Sequence, residues 1–471
     1  MRSAWVPDLD EAKGPLYWRI AAALARDVRS GRLGVGEQLP THRALADILG
    51  VTVNTVTKAY AEAERNGLIV SRTGRGTYVK GFPEEMANGA APPREMINLA
   101  ANVTSSSAFN PVFNRLLGAL SRRGSLHGLL DYHPHPGLDR HRSAGARWIT
   151  RRGVEATPDR VIVCTGAQEG LLAVFSAIAR PRDTILTEML NYAGVRYIAD
   201  TLHLNVRGVE IDAQGLVPDA LEAACQMNRV AAILCNPTNH NPTTATASLE
   251  RRKAIVEIAG RAGALLVEDD IFGHLTGQGL PPLAALAPDR CVYVCGTSKS
   301  IAAGLRVGYL LPPAALVNRI IDSLQTMHWS SPALMGEIAT LLIEEGHADE
   351  FVAWHRREAL ARQKLARSIL GLGDDRAASG YHLWLPLPEG LHTAHFVSEL
   401  RRQGVLVSPS DQFVVDGGPV PDAVRLALGS IADHERLEQG LKLTAACLRS
   451  DPRLAAAVDP SGDSRKTILT L

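Results

Sequence analysis

The sequence predicts an α/β protein: a domain on a mainly parallel sheet with a smaller C-terminal α+β part, preceded by a winged helix-turn-helix module. Three observations carry this. Strand-like apolar runs alternate with helical stretches from residue 161 to 299. Residues 15–79 read as three short helices and a hairpin. Between the two lies GFPEEMANGAAPPRE, rich in Gly, Pro, Ala and Glu and without periodicity, which is the composition of a connector.

A chain of 471 residues exceeds one ordinary core. The expected divisions are 1–80 for the first module, 81–96 for the linker and 97–450 for the second domain, split near 312 into a large and a small part. Residues 451–471 show no periodic pattern and are expected to be a mobile tail. With 46% hydrophobic and 21% charged residues the chain has the composition of a soluble globular protein rather than a disordered or fibrous one. No run of about eighteen apolar residues appears, and MRSAWVPDLDEAKG lacks the charged start and apolar stretch of a secretory signal. No membrane association and a cytoplasmic location are the expectations. The six cysteines form no CxxC pair and stand with no His at zinc-finger spacing, so free thiols and no metal are expected. In CVYVC, strand alternation places Cys291 and Cys295 on one face.

The elements of the first module follow in order. PLYWRIAAALARDVRS repeats apolar positions at helical spacing and stops at Gly31. Thr41 is a good N-cap for HRALADILG, whose Ala44, Leu45, Ile48 and Leu49 form an apolar face ended by Gly50. Thr52 caps VNTVTKAYAEAERNG, where Val56, Ala59 and Tyr60 face helix two while Asn54, Thr55 and Lys58 face away. LIVSRTGRGTYV then reads as two strands around Gly74-Arg75-Gly76, a wing. Polar groups at the start of helix three are expected to reach base edges, and Arg43, Lys58, Arg72 and Arg75 to meet phosphates. With the helix-start residues, the candidate contacts to double-stranded DNA are Thr41, Arg43, Thr52, Asn54, Thr55, Lys58, Arg72 and Arg75. Residues 1–80 hold twelve Lys and Arg against eight Asp and Glu, a local basic excess that suits nucleic acid but that a solvated helix face also gives.

In the second domain the pairs are VIVCTG with AQEGLLAVFSAIA, DTILTE with YAGVRYIADTL, and VAAILCNP with LERRKAIVEIAGRAG, then ALLVEDD and CVYVCGTSK. Such alternation gives a parallel sheet covered on both faces, with ligands gathered at the carboxyl ends of the strands. Lys299 follows one such end among small residues; it is either a surface lysine or an amine of depressed pKa able to form an imine. Arg306, seven residues on, is able to face a phosphate. Glu268-Asp269-Asp270 ends another strand and reads either as a solvated loop or as the source of a carboxylate for a pyridinium nitrogen. Asn241-Pro242 is a turn or a donor to a phenolic oxygen. Thr165-Gly166-Ala167-Gln168 lies between strand and helix, where backbone N–H groups hold a phosphate or simply make a tight turn. After Pro312 come a helix-rich stretch to about Leu370, the strand ASGYHLWLPLP and a last helix through HERLEQGLKLTAACL.

At LPTHRALADILGV, NTVTKAYAEAERNGLI and GRGTYV the first module resembles the GntR-type winged helix, with Val53 where many members carry an arginine. Residues 97–450 resemble the aspartate-aminotransferase-like pyridoxal phosphate proteins of fold type I. That resemblance implies Lys299 as the lysine forming the internal aldimine with pyridoxal 5′-phosphate, Asp269 on the pyridine nitrogen, Asn241 on the ring oxygen and Tyr192 stacked on the ring. It implies a phosphate held by Gly166, Ala167, Gln168, Ser298 and Arg306, with Tyr132 serving the neighbouring subunit of a homodimer, and a substrate carboxylate held by Arg425. Four positions depart from the pattern: Gly296 stands where a hydroxyl residue is usual, with Thr297 or Ser298 to replace it; Thr244 replaces the glycine of Asn-Pro-Thr-Gly; and Ile271 and Phe272 stand where a tyrosine is usual. The fusion has the layout of the MocR subgroup of GntR-family regulators. It implies a regulator that binds an operator and senses pyridoxal phosphate, or an amine or amino-acid effector, by aldimine exchange at Lys299; the rival expectation is an active aminotransferase carrying a DNA-binding module.

Overall fold

The computed structural model describes residues 5–9, 15–29, 32–33, 37–65, 68–72, 76–79, 96–105, 107–122, 126–133, 135–276, 279–373 and 379–449. The expected linker up to residue 95, the expected tail, Gly31 and Arg75 lie outside the described residues. Two compact units form, one of residues 1–96 with 394–404 and one of residues 97–393 with 405–471.

In the first unit, α1 (Leu16–Arg29), α2 (His42–Leu49) and α3 (Val53–Arg65) precede an antiparallel pair, β1 (Ile69–Arg72) and β2 (Gly76–Val79), in register from Ile69 opposite Val79 to Arg72 opposite Gly76. Local signals set the boundaries. The Thr41 hydroxyl accepts the Ala44 N–H at 3.2 Å, and Gly50 ends α2 with φ +64°, a conformation that costs glycine little. The Thr55 N–H donates to Thr52 Oγ1 at 3.3 Å. Ile20, Leu24, Leu45, Val56, Ala59, Tyr60, Ile69 and Val79 share one core. Tyr60 buries its ring there and donates its hydroxyl to the Pro40 carbonyl at 2.9 Å. The expected face of α2 needs one correction: Leu45 and Ala46 are buried, while Ile48 is 45% exposed. At 3.6 residues per turn, a face centred on Leu45, Ala46 and Leu49 leaves Ile48 on its rim.

The second unit is built on a seven-stranded sheet. In chain order its strands are β3 (Ile162–Cys164), β4 (Thr184–Glu188), β5 (Asn205–Val209), β6 (Val230–Cys235), β7 (Leu265–Asp269), β8 (Cys291–Gly296) and β9 (Gly308–Leu311). Their order across the sheet is β3-β9-β8-β7-β6-β4-β5. All neighbours are parallel except β9, which runs antiparallel to both β8 and β3. Alternation along β8 assigns its side chains to two cores: Cys291, Tyr293 and Cys295 to one face, Val292 and Val294 to the other. The second core includes Leu171, Val174 and Phe175 of the helix Ala167–Ile178, α4. A smaller three-stranded sheet follows, in which Ala423–Ala427 is central between His382–Pro386 and Ser408–Pro409. The six cysteines are free thiols, and among the described residues no helix is long and apolar enough to cross a membrane.

Candidate functional site

The strand ends deliver the expected residues to one place. Lys299 leaves β8 by a short loop and is half-buried. Its Nζ donates to the Asn102 carbonyl and stands 5.8 Å from the centre of the Phe272 ring. Burial pushes the Lys299 ammonium down to about 8; nearby Arg425 lowers it further, Asp269 opposes the drop and Arg306 adds to it.

On β7, the two-residue period separates three adjacent acids. Glu268 and Asp270 share a face with Tyr293, and each is fully buried against an arginine: Arg252 lies 3.7 Å from Glu268, and Arg152 Nε donates to Asp270 at 2.8 Å. Asp269 alone faces the other way, toward Lys299. Its Oδ1 accepts the Ile271 N–H at 3.2 Å, and its backbone carbonyl accepts Asn236 Nδ2 at 2.7 Å. Burial lifts its carboxyl to about 7, with the Ile271 N–H opposing, Asp270 and Glu188 adding and Lys299 opposing.

At the start of α4 lies a polar cradle. Gly166 has φ +93°, and a Cβ there would come within 2.8 Å of the Arg306 guanidinium. Arg306 reaches Ser298 Oγ at 3.5 Å and the Thr165 carbonyl at 3.3 Å. Gly166, the N-cap, gives the first turn no side-chain acceptor, so the N–H groups of Ala167 and Gln168 open toward the same space as Arg306 and Ser298. Tyr192 borders it: a Cβ on Gly194 would strike both the Tyr192 ring and Gln168 Oε1 at 2.2 Å. Burial raises the Tyr192 hydroxyl pKa well above its usual value, with the charge of Asp269 adding to the rise.

Arg425 closes the far side. It donates to Asn241 Oδ1 at 2.9 Å, to the Ala100 carbonyl at 2.6 Å and to Ser408 Oγ at 3.1 Å, and lies 4.9 Å from the centre of the Phe413 ring. Its Nε is buried without a partner, and burial brings its pKa down to about 10. Asn102 is likewise buried with both amide atoms unpartnered.

Lys299, Asp269, Asn241, Tyr192, Gly166, Ala167, Gln168, Ser298, Arg306 and Arg425 thus converge, whereas Tyr132 is 86% exposed. Sequence reasoning missed Asn102, Asn236 and Ser408. Asn236 had a legible signal, since it follows β6 directly; Asn102 lies 197 residues from Lys299 in a segment without pattern. In the first unit, Thr41, Arg43, Thr52, Asn54 and Lys58 are exposed and Thr55 is half-exposed. Arg72 ends β1 at the hairpin.

The residues present fit pyridoxal 5′-phosphate. A glycine-lined helix start with Ser298 and Arg306 matches a phosphate dianion, Asp269 matches a protonated ring nitrogen, and the depressed amine of Lys299 matches an aldehyde carbon. When bound, that group supplies a carbon that holds one amine at a time and a ring that withdraws electrons. The chain supplies the rest. With its ammonium brought down to about 8, Lys299 is able to take up or give up a proton at Nζ, and Asp269, when ionised, favours the ammonium form.

Reactivity of Lys299 toward an acylating reagent, read by mass spectrometry in the protein free of cofactor, rises through about pH 8 rather than near the ordinary 10.5. Asp269 as an anion favours the ammonium form, so Asp269→Asn moves the midpoint below that of the wild type. A midpoint above 10 in the wild type contradicts the reading.

Two family models match the chain: "Bacterial regulatory proteins, gntR family" over residues 16–79 and "Aminotransferase class I and II" over residues 94–442. Among relatives, the uncharacterized HTH-type transcriptional regulator YdeF of Bacillus subtilis is 27% identical over 93% of this chain and 96% of its own length. HTH-type transcriptional regulator TauR of Rhodobacter capsulatus is 27% identical over 93% and 97%. The vitamin B6 salvage pathway transcriptional repressor PtsJ of Salmonella typhimurium is 26% identical over 88% and 94%. Of solved structures, the alpha-aminoadipate aminotransferase LysN from Thermus thermophilus shares the fold, with a TM-score of 0.70 at 23% identity over 80% of this chain and 98% of that one. The chain belongs to the aminotransferase class I and II family and carries that domain behind a gntR-family winged helix, the MocR-type architecture.

Proposed function

We propose that this protein is a cytoplasmic transcription regulator that binds operator DNA through its winged helix and holds pyridoxal phosphate at Lys299 as the receptor for an amine or amino-acid effector. The observation that carries this reading is the joining of an exposed recognition-helix face, with Asn54 and Lys58, to a converged set of residues around Lys299. An effector carboxylate has two buried, unpartnered polar groups to meet, the Asn102 amide and Arg425 Nε. The displaced Lys299 amine has an acceptor in the Asn102 carbonyl. Phe272 presents an apolar ring to that amine where a tyrosine would present a hydroxyl, which favours holding a ligand over turning it over.

The working form is a homodimer with shared sites. Tyr132, Leu130 and Trp329 are 86%, 72% and 77% exposed, and the His133 N–H donates to Ser330 Oγ at 3.0 Å, tying Tyr132 and Trp329 into one apolar surface. Covering it with a second copy lets Tyr132 reach that copy's phosphate cradle. Ligand states that favour different arrangements of the dimer then change the fit of two winged helices to two half-sites.

Gel shifts with operator DNA, with and without pyridoxal phosphate and a panel of metabolite amines, test the reading. A shift in affinity or footprint with at least one amine is the expected result, and identical binding throughout contradicts it. Fast conversion of the cofactor to its amine form with an amino acid, without any change on DNA, points to the aminotransferase instead.

A further inference from the structure

Val53 opens α3 and is 45% exposed, beside the exposed Asn54 and one turn before the exposed Thr57 and Lys58. The hydroxyls around it are already engaged within the protein. Thr52 Oγ1 and Thr55 Oγ1 are 2.9 Å apart, and Thr52 Oγ1 also accepts the Thr55 N–H. Thr57 Oγ1 donates to the Val53 carbonyl at 3.0 Å and lies 3.2 Å from His42 Nδ1. The Val53 isopropyl and the Asn54 amide are thus the exposed side chains at this end of α3 that are not already hydrogen-bonded among the described residues.

N-terminal residues of a recognition helix are those that meet base edges in the major groove. An isopropyl group complements one feature of those edges, the C5-methyl of thymine; against guanine N7 and O6 or the amino group of cytosine it would strip water from a polar atom and return nothing. The neighbouring Asn54 carries the donor and acceptor that pair with adenine N6 and N7. We propose that Val53 is a specificity-determining residue that selects a thymine methyl in each operator half-site, with Asn54 reading an adjacent adenine. This rests on the DNA-binding reading above and adds to it the identity of the base that Val53 meets.

The test uses the full-length protein loaded with pyridoxal phosphate. A tight duplex is selected from a random pool, and each thymine is then replaced in turn by deoxyuridine, which removes the methyl and leaves every hydrogen-bonding group. At one position per half-site the wild type weakens roughly fourfold per methyl lost. Val53→Ala weakens binding to the thymine duplex by a similar factor and no longer distinguishes uracil there, while Val53→Ile keeps the distinction. Val53 is a surface residue, so the variants keep their fold, which near-identical circular dichroism verifies. If the wild type selects a sequence but responds to uracil just as Val53→Ala does at every position, the thymine contact is wrong and DNA binding stands. If it selects no sequence at all, both fall.

Discussion

Lys299→Ala abolishes covalent retention of the cofactor and the response of DNA binding to amines, while basal DNA binding persists. No other described lysine stands with Asp269, Arg306 and Arg425 around it, so no second amine substitutes for Nζ at the strand end. Borohydride treatment followed by mass spectrometry reads retention directly: the wild type keeps the reduced adduct on the peptide containing Lys299, and the variant keeps none. The cradle of Gly166, Ser298 and Arg306 remains, so the variant still binds the cofactor reversibly through its phosphate. An adduct of equal yield on another lysine of the variant contradicts the assignment.

Asp270→Ala has the largest expected effect on stability. Asp270 is fully buried; its Oδ2 accepts from Arg152 Nε at 2.8 Å and from the Tyr293 hydroxyl at 2.6 Å. Removing it leaves the buried Arg152 guanidinium without its anion, a loss of about 3–5 kcal/mol in comparable pairs. Asp270 also follows Asp269 directly, so a loosened strand end carries Asp269 with it. Urea unfolding of the second unit should show the loss in full, and the double variant Arg152→Met with Asp270→Leu should recover a large part of it, because an apolar pair leaves no charge unpaired. A single-variant loss under about 1 kcal/mol would falsify the view that this pair anchors the strand end.

The parts legible in the sequence are those with local physical signals. Thr41, Thr52 and Gly50 mark helix boundaries because capping is decided within four residues of the chain. Strand alternation was enough to place Cys291 and Cys295 together, whereas Asp269 was singled out from Glu268 and Asp270 only by the family resemblance. Two kinds of feature stayed hidden. The direction of β9 leaves no trace in Gly308–Leu311, since all four residues are buried and an apolar run reads alike in either sense. Long-range partners were hidden too: Asn102 with Lys299, Arg152 with Asp270 118 residues away, and Ser408 with Arg425, whose meetings are set by the packing of the whole unit. Ile48 escaped for a smaller reason: in an eight-residue helix the pattern of Ala44, Leu45, Ile48 and Leu49 does not fix where the buried face is centred.

The most direct measurement is a single titration with two readouts. Cofactor-loaded protein on fluorescent operator DNA, held near half-saturation, receives an amine that changes the cofactor's visible spectrum, and DNA anisotropy is followed with absorbance. A regulator that senses its effector at Lys299 shows both signals moving with one midpoint in the wild type, and in Lys299→Ala an anisotropy that stays flat whatever the spectrum does, because no lysine is there for the amine to displace. A spectrum that saturates while the anisotropy stays flat at every DNA concentration would separate the two units of the chain and contradict the link between them.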